Sequence, residues 1–194
     1  MKFALTRKQL VVFFCCIVIS LFLLLSSYKA VISFTNLISP QQGVFLFLQD
    51  KGELVSGFTA EETSHLEDVR IVMKTIDYIL YFLLLFISIV LIYYRKDKTF
   101  IREILLYGGI SSVILTTLTL LSSLLLFNVV FTLFHQLFFP QGNWAFPADS
   151  LLIQTFPLEF FITISRNIFL LTLFLGILFI LLGYYSKYVL RHRN

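Results

Sequence analysis

Three histidines, His65, His135 and His192, are the side chains best suited to exchange protons near neutral pH. His65 lies in the run Glu61-Glu62-Thr63-Ser64-His65-Leu66-Glu67-Asp68. On a helix, Glu61, Glu62 and Asp68 are three or four positions from it and can share its face. A carboxylate there fixes the imidazole tautomer or favours its protonated form. The same pattern also describes a solvated, charged first turn, and spacing leaves both readings open. His135 enters an aromatic, proline-broken segment, Phe134-His135-Gln136-Leu137-Phe138-Phe139-Pro140, which continues through Asn143-Trp144-Ala145-Phe146-Pro147 to Asp149. That segment reads equally as an interfacial anchor, with Trp144 keeping its N–H wet. His192 belongs to a basic tail and reads as solvated.

Several chemistries lack their signatures. The chain has no His-Glu-x-x-His, no Gly-x-Ser-x-Gly elbow and no phosphate-binding loop. Two imidazoles separated by 70 residues are a weak metal signal, so neither a resident metal nor a cofactor is expected. Cys15 and Cys16 are adjacent in an apolar run and read as small packed or lipid-facing thiols.

The elements that must position these histidines are membrane helices. Hydrophobic residues make up 58% of the chain and charged residues 13%, which excludes a disordered chain or a soluble globular enzyme. Four segments suit the roughly 20 apolar residues that cross a bilayer. They predict an all-α membrane protein, a single integral membrane domain over 1–194, with spans at about 10–34, 76–94, 104–134 and 162–186. The first reads as a retained signal-anchor, too long for a cleaved leader. The third, wholly helical, would run about 46 Å and must tilt or project beyond the bilayer. In it Gly108, Ser112, Thr116, Thr119 and Ser123 form a small-residue stripe, the pattern of a helix-packing seam. Lys and Arg concentrate in the N-terminus, the loop 95–103 and the C-terminus, which places both termini in the cytoplasm. Segments 35–75 and 135–161 then face outward as a small cap. The net charge of +4 follows this distribution and does not indicate nucleic-acid binding.

Within the cap, Val44–Leu48, the turn Gln49-Asp50-Lys51-Gly52 and Glu53–Ser56 predict a β-hairpin. Thr59 followed by Glu62 forms a capping box that starts a helix near Ala60. Arg166, ahead of the last span, reads as a headgroup-snorkelling residue.

Two stretches together resemble the bacterial lipoprotein intramolecular transacylases, the Lit family. They are Glu62-Thr63-Ser64-His65-Leu66-Glu67-Asp68-Val69-Arg70, and Phe134-His135-Gln136-Leu137-Phe138-Phe139 with Asn143-Trp144-Ala145-Phe146 and Asp149 through Pro157-Leu158-Glu159-Phe160-Phe161. Four spans and two outer segments fit as well, so the resemblance covers nearly the whole chain. It implies an enzyme of the Gram-positive cell membrane, acting at the extracellular face on diacylglyceryl-modified lipoproteins. The sn-2 acyl chain would move to the α-amino group of the same N-terminal cysteine, giving a lyso-form lipoprotein. His65 and His135 are then the expected catalytic pair, with base and acid roles open, as is an acyl-histidine intermediate. Asp68, Arg70, Asn143 and Trp144 are the candidates for orienting a histidine or holding an oxyanion. The alternatives are a non-enzymatic sensor or assembly factor binding lipid or protein through its cap, and a haem protein with axial His65 and His135.

Overall fold

The structure, a computed structural model, describes residues 6–191, with side chains described through Ser186. His192, Lys2 and Arg193 lie outside the described residues. The chain order is α1 (Arg7–Phe34), α2 (Ser39–Leu48), α3 (Ala60–Tyr93), α4 (Lys98–Leu125), α5 (Phe127–Phe138), α6 (Leu151–Thr155) and α7 (Leu158–Arg191). Helices α1, α3, α4 and α7 are long and apolar enough to cross a membrane. Their starts carry local signals. Thr6 and Gln9 cap α1 reciprocally, Thr59 and Glu62 cap α3, and Asp97 accepts the Phe100 N–H at 2.9 Å to begin α4.

Helix α4 runs against α7, and α1 packs on both. The close approach follows from glycine. A Cβ at Gly109 would sit 2.7 Å from the Gly176 carbonyl oxygen and 2.8 Å from the Ile180 nitrogen, while Gly108 meets Ile19 of α1. Ser112 and Thr116 continue the buried side of the stripe, whereas Thr119 turns outward. Cys15, Ile19, Leu23, Phe100 and Ile104 form the core between α1 and α4. Cys15 and Cys16 are both free thiols. Helix α3 packs chiefly on α1, where Lys29 and Asp77 pair at 2.6 Å.

Helix α3 is 34 residues long, or about 50 Å at 1.5 Å per residue. Its apolar part suffices to span a bilayer. The charged first turns therefore project beyond it, and His65 sits there. The third apolar run divides. Helix α4 ends at Leu125, Leu126 adopts φ −134° and ψ 39°, and α5 starts at Phe127. Neither Pro nor Gly marks this break. His135, near the end of α5, thus lies outside the four candidate spans.

The expected hairpin changes. No strand occurs among the described residues, and Val44–Leu48, read as the first strand of a hairpin, is the second half of α2. Pro40 suits a first helical turn because its missing N–H is not needed there. Val44, Phe45, Phe47 and Leu48 are buried together, and that spacing of one, three and four is helical. The cap thus has its own core, where those four meet Leu66 of α3 with Leu152 and Phe156. Gln41 fixes the joint by donating to the Thr155 carbonyl at 3.0 Å.

A Gly109→Val substitution should test the glycine contact. Overpacking of this kind costs about 1–3 kcal/mol, so the thermal midpoint in detergent should fall, with Ser88→Ala, on the exposed side of α3, nearly unchanged.

Candidate active site

Glu62, His65 and Asp68 recur every three residues and climb one side of the projecting part of α3. Glu62 is only 1% exposed. One carboxylate oxygen accepts the Thr59 N–H and the other the Leu152 N–H, each at 2.8 Å. Two helix starts, α3 and α6, therefore share one anion, which complements the positive end of each. Burial opposes ionisation of Glu62, but the amides of Leu152 and Thr59 outweigh it and hold the carboxyl below the ordinary range.

This joint brings residues 139–156 against α3. The two histidines, 70 positions apart, then lie with ring centroids 6.3 Å apart and planes 28° from parallel. His65 is 6% exposed and His135 9%. Aromatic rings enclose them. Phe139 and Phe146 lie 4.7 and 5.7 Å from His65, while Phe131 and Trp144 lie 4.0 and 5.0 Å from His135.

Both imidazoles are weak bases here. Burial pushes His65 down to about 4, and the adjacent His135 adds to the fall, while the charge of Asp68 opposes it. Burial also lowers His135, opposed by a hydrogen bond to the Phe131 carbonyl. That bond is 2.8 Å long and involves Nδ1. A carbonyl only accepts, so Nδ1 carries the proton and Nε2 of the neutral ring holds the free lone pair. Nδ1 of His65 is buried and has no hydrogen-bond partner among the described residues.

The remaining sequence candidates separate. Asn143 and Trp144 come to the site. Asp68 does as well, but its hydrogen bonds run to Gln141 and Asn143, each at 2.7 Å. Arg70 stands instead at the joint between α2 and α3, 4.4 Å over the Phe47 ring and 3.7 Å from Asp50. Glu61 lines an open pocket of about 500 Å³ with Glu62, Asn143, Phe146 and Ser150. Neither histidine lines that pocket, and Phe146, which does, lies 5.7 Å from His65. Sequence spacing alone did not single out Gln141, Phe131 or the bridging role of Glu62. The capping box marks Glu62, but Leu152 is 90 residues away and no local pattern links them.

The fold and site together define a class: a helical membrane protein with four long apolar helices and two buried, aromatic-enclosed imidazoles paired outside the apolar spans. A family model, the lipoprotein intramolecular transacylase Lit, matches residues 41–161. The chain belongs to that family and is an enzyme, which sets aside the sensor and assembly-factor alternative. Solved structures of the membrane integral lipoprotein intramolecular transacylase Lit from Bacillus cereus share the fold. One is 22% identical with a TM-score of 0.77, covering 95% of this chain and 98% of that one. Another, with a histidine replaced by arginine, is 21% identical with a TM-score of 0.78, covering 96% and 95%. No curated protein sequence matches the chain.

Two measurements check this geometry. Glu62→Gln sets an amide NH₂ against a backbone donor and should destabilise the cap by roughly 1.5–3 kcal/mol. Because the carboxyl is held below its ordinary 4.5, the stability it gives is present above that pH and lost as pH falls through the lower, folded value. Trp144, the sole tryptophan, should report His135, since an imidazolium quenches an adjacent indole. Its emission should hold through the ordinary imidazole range near pH 6.5, fall only below it because burial lowers His135, and His135→Phe should abolish that fall.

Proposed function

We propose that the chain transfers the sn-2 acyl group of a diacylglyceryl lipoprotein to the α-amine of the same N-terminal cysteine, giving the lyso form. The observation that carries this reading is the enclosure of two neutral imidazoles side by side. An acyl shift within one molecule already holds nucleophile and ester together, so much of the rate comes from orientation. What remains is proton management. The amine attacks the ester carbonyl, its N–C bond forms, and it must lose a proton. His135 takes that proton at Nε2, the nitrogen left free by the Phe131 hydrogen bond. The ester C–O bond then breaks, and the imidazole pair returns one proton to the glyceryl oxygen. Nitrogen and oxygen exchange one acyl group and one proton, so the site ends as it began.

Trp144, whose ring lies 5.0 Å from that of His135, is our candidate oxyanion donor through its indole N–H. Asp68 and Asn143 support the turn before it, and Arg70 acts more remotely by seating α2 on α3. The domain is a single integral membrane unit with both termini in the cytoplasm and the cap on the extracellular side, as the Lys and Arg distribution supports. Lipid surrounds α3 and α5, whose apolar side chains are broadly exposed. Acyl chains accordingly enter laterally from the outer leaflet, and lipoproteins and membrane lipid are the partners.

The test is mass spectrometry of a co-expressed lipoprotein's N-terminal peptide, in a host lacking other N-acylation. One chain on the α-amine and one on the glyceryl are expected with the wild type. His65→Ala and His135→Ala should each reduce that product at least about 100-fold, the usual scale of a lost acid–base group. An unchanged diacylglyceryl peptide beside well-expressed wild type would reject the proposal.

A further inference from the structure

The spacing of three pairs Asp68 with His65, yet its carboxylate makes its hydrogen bonds elsewhere. Oδ2 accepts from Nε2 of Gln141 and Nδ2 of Asn143, both at 2.7 Å. A carboxylate only accepts, so both amides must present their NH₂ groups to α3. Oγ of Ser64 lies 3.4 Å from the same Asn143 nitrogen. Between the two amides, Gly142 takes φ +82°, and no atom lies within 4 Å of where its Cβ would stand. The turn therefore meets α3 through its two amides and not through packing at its apex. The next residue after Asn143 is Trp144, whose ring lies 5.0 Å from that of His135.

We infer that Asp68 is a positioning residue that clamps the Gln141–Trp144 turn to α3 and thereby seats Trp144 against His135. The inference rests on the reading that the two histidines carry out the transfer. Both arms are hydrogen bonds to an ionised acceptor, a class roughly twice as strong as neutral ones, with the Asn143 arm part-buried and the Gln141 arm exposed. It also has a task. Residues 139–150 contain no helix or strand, and Pro140 and Pro147 interrupt any attempt to form one. Without a tether, the ring beside His135 would be free to leave. The competing role for Asp68 is electrostatic, a charge that makes His65 easier to protonate.

The two roles separate in one variant set on the full-length protein in detergent. Asp68→Asn, the pair Gln141→Ala with Asn143→Ala, and all three together would be assayed on a synthetic diacylglyceryl lipopeptide across pH, with Trp144 emission recorded in parallel. The clamp predicts that Asp68→Asn and the amide pair each slow transfer by roughly tenfold or more, that the triple variant is no slower than the pair, and that all three red-shift Trp144 emission and remove its quenching at low pH. If the amide pair keeps wild-type rate and emission while Asp68→Asn alone moves the acidic limb of the pH profile, the clamp is overturned in favour of the charge. Should Asp68→Asn not fold, Asn143→Ala alone carries the same emission and rate test. The emission arm needs no turnover. Failure of the histidine reading would appear instead as full activity in His65→Ala and His135→Ala, with Trp144 still released by the Asp68 variant.

Discussion

The cap depends on one buried anion. Glu62 lies beneath the surface with both oxygens used, one on the start of its own helix and one on the start of α6. A buried carboxylate is costly unless its lone pairs are met, and here backbone donors meet them at 2.8 Å. The consequence is geometric. Helix α6 is five residues long, too short to hold itself in place. Fixed by Glu62 and by the Phe156 contacts, it anchors the far end of the segment that starts at Phe139. That segment delivers Phe146 to His65 and Trp144 to His135.

On the proposed reading, the enclosure sets the chemistry as much as the histidines do. In water an imidazole near neutral pH is partly protonated and therefore partly useless as a base. Aromatic burial removes that competition by penalising the cation. Two such rings side by side reinforce the effect, since protonating one discourages the other. The cost is a weaker base, which an intramolecular reaction tolerates because the nucleophile is already at hand. The Phe131 carbonyl completes the arrangement. It commits Nδ1 of His135 as a donor, so the basic nitrogen is defined by the backbone of α5.

The long elements were legible in the sequence because an uncharged apolar run of some 20 residues fits little besides a membrane span. The stop in the third run was not, since Leu124-Leu125-Leu126-Phe127 carries no breaker. The Val44–Leu48 stretch shows a different limit. Five consecutive apolar or aromatic residues satisfy either a strand or a buried helix face, and only their partners decide. Leu66, Leu152 and Phe156 decide it here, and all three come from later in the chain. Both histidines could be named from residue chemistry, and the family resemblance supplied their pairing. Their 6.3 Å separation could not be named, because it follows from the Glu62–Leu152 bond and the α4–α5 break together.

Asp68 shows why spacing on a helix is an incomplete guide to partnership. Three residues bring a carboxylate near an imidazole, but a side chain satisfies whichever donors are better placed. Gln141 and Asn143 offer NH₂ groups with no other strong acceptor among the described residues, and they take the carboxylate. The result divides labour along one stripe of α3. Glu62 below His65 holds one end of the loop, Asp68 above it holds the other, and the imidazole between them keeps a ring nitrogen uncommitted. A carboxylate hydrogen-bonded to His65 would have favoured its protonated form. Turned toward the loop, both acids shape the site while the buried ring stays neutral.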